Sequence, residues 1–118
     1  MKIINVLSPY YYQDCHIKGS INIPLEMLEE TAKTLDKNEE IILYCAHYQC
    51  PASKKAWHIL NDLGFKNNKA YEGGIVEWYQ LGYPIEGNAQ ESYLQQPHEK
   101  ENDDSIKTIS AEELLAKI

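Results

Sequence analysis

The chain has 118 residues, a net charge of −7 and no arginine. That length holds one small domain with a modest core and is too short for two. An acidic, arginine-free chain is a poor match for nucleic acid, which calls for a basic patch, and for phosphoryl groups, which suit the planar fork of arginine.

Residues Met1 to Ser8 carry one basic residue and a short apolar stretch, without the pattern of a secretory signal. No apolar run reaches membrane-spanning length. Three cysteines in such a chain read as thiols in a reducing compartment, not as a disulfide framework. The expectation is a cytoplasmic protein with neither a membrane nor a nucleic-acid partner.

Lys2 to Leu7 (KIINVL) predicts a short buried strand, ended by Ser8-Pro9. Tyr10, Tyr11 and Tyr12 predict a half-buried aromatic turn, and Ile21 to Ile23 a second extended piece. Pro24 opens a helix with Leu25, Leu28, Ala32 and Leu35 on one face. Glu26, Glu29 and Glu30 sit early in it, where the helix dipole favours acids. Asp36 to Glu40 is a polar turn.

Glu40 to Cys45 (EIILYC) is continuously apolar after its first residue, as a central parallel strand covered on both faces should be. A loop over residues 46–52 leads to a helix over Ser53 to Leu63, with Ala56, Ile59, Leu60 and Leu63 facing inward and Gly64 as its stop. Lys69 to Tyr71 predicts another strand and Glu72-Gly73-Gly74 a turn. Ile75 to Leu81 predicts a short helix with Trp78 buried, ending at Gly82. Alternating strands and helices imply an α/β fold with parallel strands and right-handed crossovers.

Residues 1–87 are the expected domain core. Composition changes at Gly87, and residues 88–105, poor in apolar and rich in acidic side chains, predict a disordered linker. Residues 106–118 (IKTISAEELLAKI) regain structure: a short strand, Ser110 as helix N-cap, Glu113 completing a capping box, and an apolar face of Leu114, Leu115 and Ile118.

Cys45 stands where a strand ends and a helix is about to begin. Parallel sheets build sites at the carboxyl ends of their strands, where loop N–H groups and helix N-termini favour an anion. A cysteine there is expected to have a depressed pKa, and its thiolate can attack a sulfane sulfur. The persulfide anion would then occupy the same cradle of N–H groups. Lys54 and Lys55 at the helix start, and Lys18 if it folds nearby, would steer small anions. The alternative is a buried, inert strand-end thiol.

Three separated segments resemble rhodanese-like domains: CHIKGSINIP (Cys15 to Pro24), ILYCAHYQCPASKKA (Ile42 to Ala56) and YEGGIVEWYQLGYPI (Tyr71 to Ile85). The resemblance covers Lys2 to Gly87. It implies a three-layer α/β sandwich, a central, mainly parallel sheet flanked by helices. It implies a sulfurtransferase or persulfide carrier that moves sulfane sulfur from a small donor such as thiosulfate to a thiol acceptor, without a cofactor. Cys45 would be catalytic, and Ala46, His47, Tyr48, Gln49, Cys50, Pro51, Ala52 and Ser53 would bind substrate.

Several positions depart from the family pattern. Its Asp-Val-Arg is Asn5-Val6-Leu7 here, and Cys15 replaces a glycine. The loop from Cys45 to Ser53 is about two residues longer than the common form. Phosphatases of this fold end a longer loop with arginine, whereas this chain has Cys50 and Pro51, which argues against phosphatase chemistry.

Cys50 resembles the second cysteine of a C-x-x-x-x-C subgroup. It would be a resolving thiol that receives the sulfur or closes a disulfide, or else a cysteine that merely fills the loop. The competing function is a non-catalytic redox switch or binding module built on Cys45 and Cys50. Cys45-x-His47-x-x-Cys50 also has metal-ligand spacing, and a zinc site would need Cys15 or His16 as a fourth ligand; the favoured reading has no metal.

The family usually opens with a strand and helix that this chain lacks before Lys2, and IKTISAEELLAKI resembles that opening. The segment would dock back in circular permutation or exchange with a second copy as a swapped homodimer. A linker of this length reaches roughly 25 Å, enough for either. The rival is a truncated second domain.

Overall fold

The computed structural model describes residues 1–101 and 104–118. Four strands form a parallel sheet: β1 (Lys2–Asn5), β3 (Ile21–Asn22), β4 (Ile41–Tyr44) and β5 (Asn68–Tyr71), in the order β3-β1-β4-β5. The continuous apolar run of β4 places it between β1 and β5, paired from Ile41 to Tyr44 with both. Two further short strands, β2 (His16–Ile17) and β6 (Ile85–Glu86), make a separate antiparallel ribbon.

Because side chains alternate across a strand, β4 feeds two cores. Ile41, Leu43 and Cys45 point into one core. There they meet Leu28 of α2 (Leu25–Thr31) together with Ala56, Trp57 and Leu60 of α3 (Ala52–Asp62). Ile42 and Tyr44 point into the other, against Ile75 and Trp78 of α4 (Gly74–Gln80) and Leu114 of α5 (Ala111–Lys117). Helices therefore cover both faces, and the expected α/β sandwich is the observed fold. Among the described residues no helix is long and apolar enough to cross a membrane.

The tyrosine run differs from expectation. It lies in a short helix, α1 (Pro9–Asp14), and Tyr10 and Tyr11 are exposed rather than half-buried in a turn. Pro9 presets φ for the first helical turn, which closes when Tyr12 N donates to Ser8 O. Tyr12 stacks on His16 at 3.9 Å and donates its hydroxyl to Ser20 O.

Beyond Gly87 the chain follows the body. Asp14 accepts from Gln90 N and Glu91 N, and Gln80 donates to the carbonyls of Leu94 and Gln96. Within the stretch read as a disordered linker, Ser92–Gln95 form a 3₁₀ turn and Leu94 is fully buried against α4. Leu94, with Ala89 and Tyr93 packed beside it, carries that contact, and the surrounding polar composition averages it away. Ile106 joins the first core, while Ile109, Ala111 and Leu114 join the second. Ala70 N donates to Lys107 O and Ile109 N donates to Ala70 O, covering the outer edge of β5. The capping box of Ser110 and Glu113 caps α5. Ile118, expected on the apolar face, is exposed because α5 ends at Lys117.

Candidate active site

Cys45 follows β4 directly, at the carboxyl end of the parallel sheet, and α3 begins at Ala52. The loop between them is anchored from α4. Ile75 N donates to Cys45 O at 3.0 Å and Val76 N to Ala46 O at 2.9 Å. Gly74 makes that approach possible. Its φ is +66°, and a Cβ there would lie 2.6 Å from Cys45 O and from the Ala46 carbonyl. The Gly-Gly pair of the third motif thus fixes the backbone at the first cysteine.

Cys45 has no exposed surface, whereas Cys50 is half-buried. The Cys45 thiol donates to Cys50 O at 3.5 Å. The Ser53 hydroxyl and N–H face the Cys45 sulfur, and the N–H groups of Ala46 and Ala52 face that of Cys50. Backbone N–H groups of the loop and the start of α3 thus lie near the pair.

The acidity is distributed differently from expectation. Contact with Cys45 pulls the Cys50 thiol down to about 5 against the opposing cost of burial, helped by Ala46 N–H, Ala52 N–H and the nearby His47. Burial first, and Cys50 second, push Cys45 well above the ordinary thiol value. Position at a strand end favours a thiolate, but full desolvation of Cys45 opposes it, and the less buried Cys50 is the thiol that is lowered.

The rest of the loop is tied down on two sides. The Tyr48 hydroxyl donates to Glu77 Oε2 and the Tyr71 hydroxyl to Glu77 Oε1. Tyr48 also stacks on His98, and Gln49 Nε2 donates to Glu99 O. His47 Nδ1 accepts from Gln49 N. A cavity of about 230 Å³ lies between His47, Gln49 and Val76 on one side and Gln96, Pro97 and His98 on the other. A second, of about 220 Å³, is lined by Leu7, Tyr11, Ala46 and Tyr93.

Two expected steering charges and the metal alternative change on inspection. Lys54 Nζ lies 3.4 Å from Glu72 Oε2, so a buried carboxylate offsets its charge. Lys18 follows β2 in the separate ribbon, while Lys55 is exposed. Cys15 packs in the core opposite to that of Cys45, where burial pushes its thiol up to about 11. His16 Nδ1 donates to Tyr12 O. Among the described residues no three histidine, cysteine or acidic side chains are placed to hold a metal ion.

Asn5 keeps part of what an aspartate would do at its position: its Oδ1 accepts from Leu7 N at 2.8 Å. Glu72, Glu77 and His98 were not singled out from the sequence. Glu77 could have been, since it sits inside the E-G-G-x-x-E-W segment; His98 lies in a stretch with no pattern of its own.

A parallel sheet flanked by helices, with a cysteine loop at the carboxyl end of its central strand, defines an α/β domain of the rhodanese-like type. The family model for the rhodanese-like domain matches residues 1–81, and the chain belongs to that family. It is 38% identical over 64 residues to the thiosulfate sulfurtransferase PspE of Escherichia coli, covering 52% of this chain and 60% of that protein. It is 31% identical over 87 residues to the HTH-type transcriptional regulator Rv0324 of Mycobacterium tuberculosis, covering 74% of this chain and 38% of that one. The chain thus spans less than two thirds of the length of each of these relatives.

Among solved structures, the BH2092 protein of Bacillus halodurans superposes with a TM-score of 0.68 at 34% identity, over 75% of this chain and 64% of that one. A rhodanese with anions from E. coli superposes with a TM-score of 0.60 at 31% identity, over 73% of this chain and 96% of that one.

Proposed function

We propose that this domain is a sulfurtransferase or persulfide carrier. A cysteine thiolate attacks the sulfane sulfur of a small donor such as thiosulfate, the donor's S–S bond breaks, and sulfite leaves with the electron pair. The sulfur is held as a persulfide on Cys45, and an acceptor thiolate attacks its outer sulfur and restores the cysteine. The carrying observation is Cys45 at the carboxyl end of β4, its thiol bonded to Cys50 O at 3.5 Å inside the loop that leads into α3. Backbone dipoles and the α3 N-terminus, rather than arginine, stabilise the anion.

Intact-mass measurement after thiosulfate or polysulfide treatment tests this reading. The expected result is a gain of one sulfur atom that comes to rest on Cys45, and none in a variant lacking both Cys45 and Cys50. No gain in the wild-type protein overturns it.

The contact between the two thiols also favours a second reading, a redox switch. Attack of one cysteine on the inner sulfur of the other's persulfide would close a Cys45–Cys50 disulfide and expel hydrosulfide. A stable product lighter by two hydrogens, reached through a transient sulfur adduct with release of hydrosulfide, would favour the switch.

A further inference from the structure

We infer that the cavity lined by Leu7, Tyr11, Ala46 and Tyr93 is a subsite for the apolar group of an organic sulfane donor, so that the domain takes sulfur from an aromatic thiosulfonate in preference to inorganic thiosulfate. The inference rests on the sulfurtransferase reading above and names the donor class of that site.

The cavity adjoins the cysteine through two residues. Ala46 follows Cys45 directly, and its carbonyl is held at 2.9 Å by Val76 N. Leu7 packs against both cores, the one that contains Cys45 and the one on which Tyr93 lies. Its backbone is held from two sides: Leu7 N donates to Asn5 Oδ1 at 2.8 Å, and Asn22 Nδ2 donates to Leu7 O at 2.9 Å. Tyr11 and Tyr93 meet edge to face at 5.4 Å, and Leu94, fully buried, seats Tyr93. The walls are therefore set before a ligand arrives, which lowers the cost of binding one.

Size and lining fit an aromatic ring. None of the four side chains is charged, and only the tyrosine hydroxyls are polar. An apolar cavity of about 150 Å³ holds a benzene ring. This one measures about 220 Å³. Two tyrosine rings already in edge contact present the faces and edges on which a third ring packs well.

Charge disfavours the inorganic dianion. The chain carries −7 and no arginine, and Leu7 stands where the family pattern has one. Asp14 ends the helix that carries Tyr11, Glu77 is bonded to Tyr48 of the cysteine loop, and Glu72 offsets Lys54. Such a field repels a doubly charged donor. A donor with one charge and an apolar body is repelled less and gains from the area it buries.

The chemistry balances without a further reagent. The Cys45 thiolate bonds to the sulfane sulfur of R–SO₂–S⁻. The S–S bond breaks and its electron pair leaves on the sulfinate, R–SO₂⁻. Cys45 ends as the persulfide anion, and no third compound is oxidised or reduced.

The test compares loading of the domain by thiosulfate, methanethiosulfonate and benzenethiosulfonate, read by intact mass. Each rate is divided by that donor's rate with free cysteine. The two organic donors carry the same charge, so their ratio isolates the apolar group. Benzenethiosulfonate is expected to load about tenfold faster than methanethiosulfonate, and thiosulfate to load slowest. Tyr11→Ala, at the exposed rim, is expected to lower the phenyl-to-methyl ratio at least about twofold. Tyr10→Ala, 65% exposed and outside the cavity, is expected to keep it. A wild-type ratio under about threefold, a ratio unmoved by Tyr11→Ala, or thiosulfate as the fastest donor overturns the subsite and leaves the sulfurtransferase reading standing. A domain that takes sulfur from none of the three overturns both.

Discussion

The Tyr48 hydroxyl donates to Glu77 Oε2 at 2.7 Å, which ties the middle of the cysteine loop to α4. The other oxygen of the same carboxylate accepts from Tyr71 at the end of β5. One side chain thus clamps the loop, the sheet and the helix, and the two tyrosines keep their protons well above their ordinary range because burial and Glu77 both oppose ionisation.

Replacing Glu77 with Leu strips both hydroxyls of their acceptor in a largely buried setting. The expected loss is about 2–3 kcal/mol of unfolding free energy, measured by urea titration, with Tyr48→Phe costing about 1 kcal/mol. A Glu77→Leu domain as stable as the wild type would mean the clamp carries no net energy.

Gly74→Ala puts a methyl group against Cys45 O and the Ala46 carbonyl at a positive φ. The expected outcome is destabilisation of about 2 kcal/mol together with slower sulfur loading, since the displaced atoms belong to the loop backbone. Thermal melts and loading rates check the two effects separately. Gly82→Ala, also at positive φ but with nothing within 4 Å of the added carbon, is the control for backbone strain alone.

The thiol of Cys50 ionises near pH 5, so its alkylation rate should be nearly flat from pH 9 down to about 6 and fall as pH drops through about 5. Its folded-state value lies below the unfolded one, about 8.5. The stabilisation that goes with it is therefore fully present above the unfolded value and is lost as pH falls toward about 5. Cys15, buried and pushed up to about 11, should stay unmodified until the domain unfolds. An alkylation rate for Cys50 that climbs steadily up to pH 9 would contradict the assignment.

We propose that residues 106–118 belong to the same folded unit as residues 1–87 and stand in for the family's opening strand and helix. Ile106, Ile109 and Leu114 lose nearly all their exposure, and Ala70 takes its outer backbone partners from Lys107 and Ile109. Leu114→Ala is expected to cost about 2–5 kcal/mol, and removal of residues 106–118 to lower the melting temperature by more than about 5 °C. Size-exclusion chromatography distinguishes docking in one chain from exchange between two. An unchanged melting temperature would sink the proposal.

Much of the fold is legible because its signals are local. The apolar run before Cys45 announces a central strand, Gly64 ends α3, and Ser110 with Glu113 caps α5. The β2–β6 ribbon is not legible, since two residues near position 16 pair with two near position 85 and neither piece has a pattern to read. Leu94 fails for a related reason: its burial depends on where α4 lies, not on its neighbours in sequence.

The sequence by itself determined the family, the alternation of strands and helices, and the placement of Cys45 at the end of a parallel strand, where loop and helix N–H groups gather. Only the tertiary structure decided how unequally the two thiols are buried and how the loop that carries them is held. That depends on which sulfur is desolvated, which way each N–H points and how Gly74 lets α4 pin the loop, all of them distances between residues far apart in the chain. Burial raises the Cys45 thiol, and contact with Cys45 lowers that of Cys50.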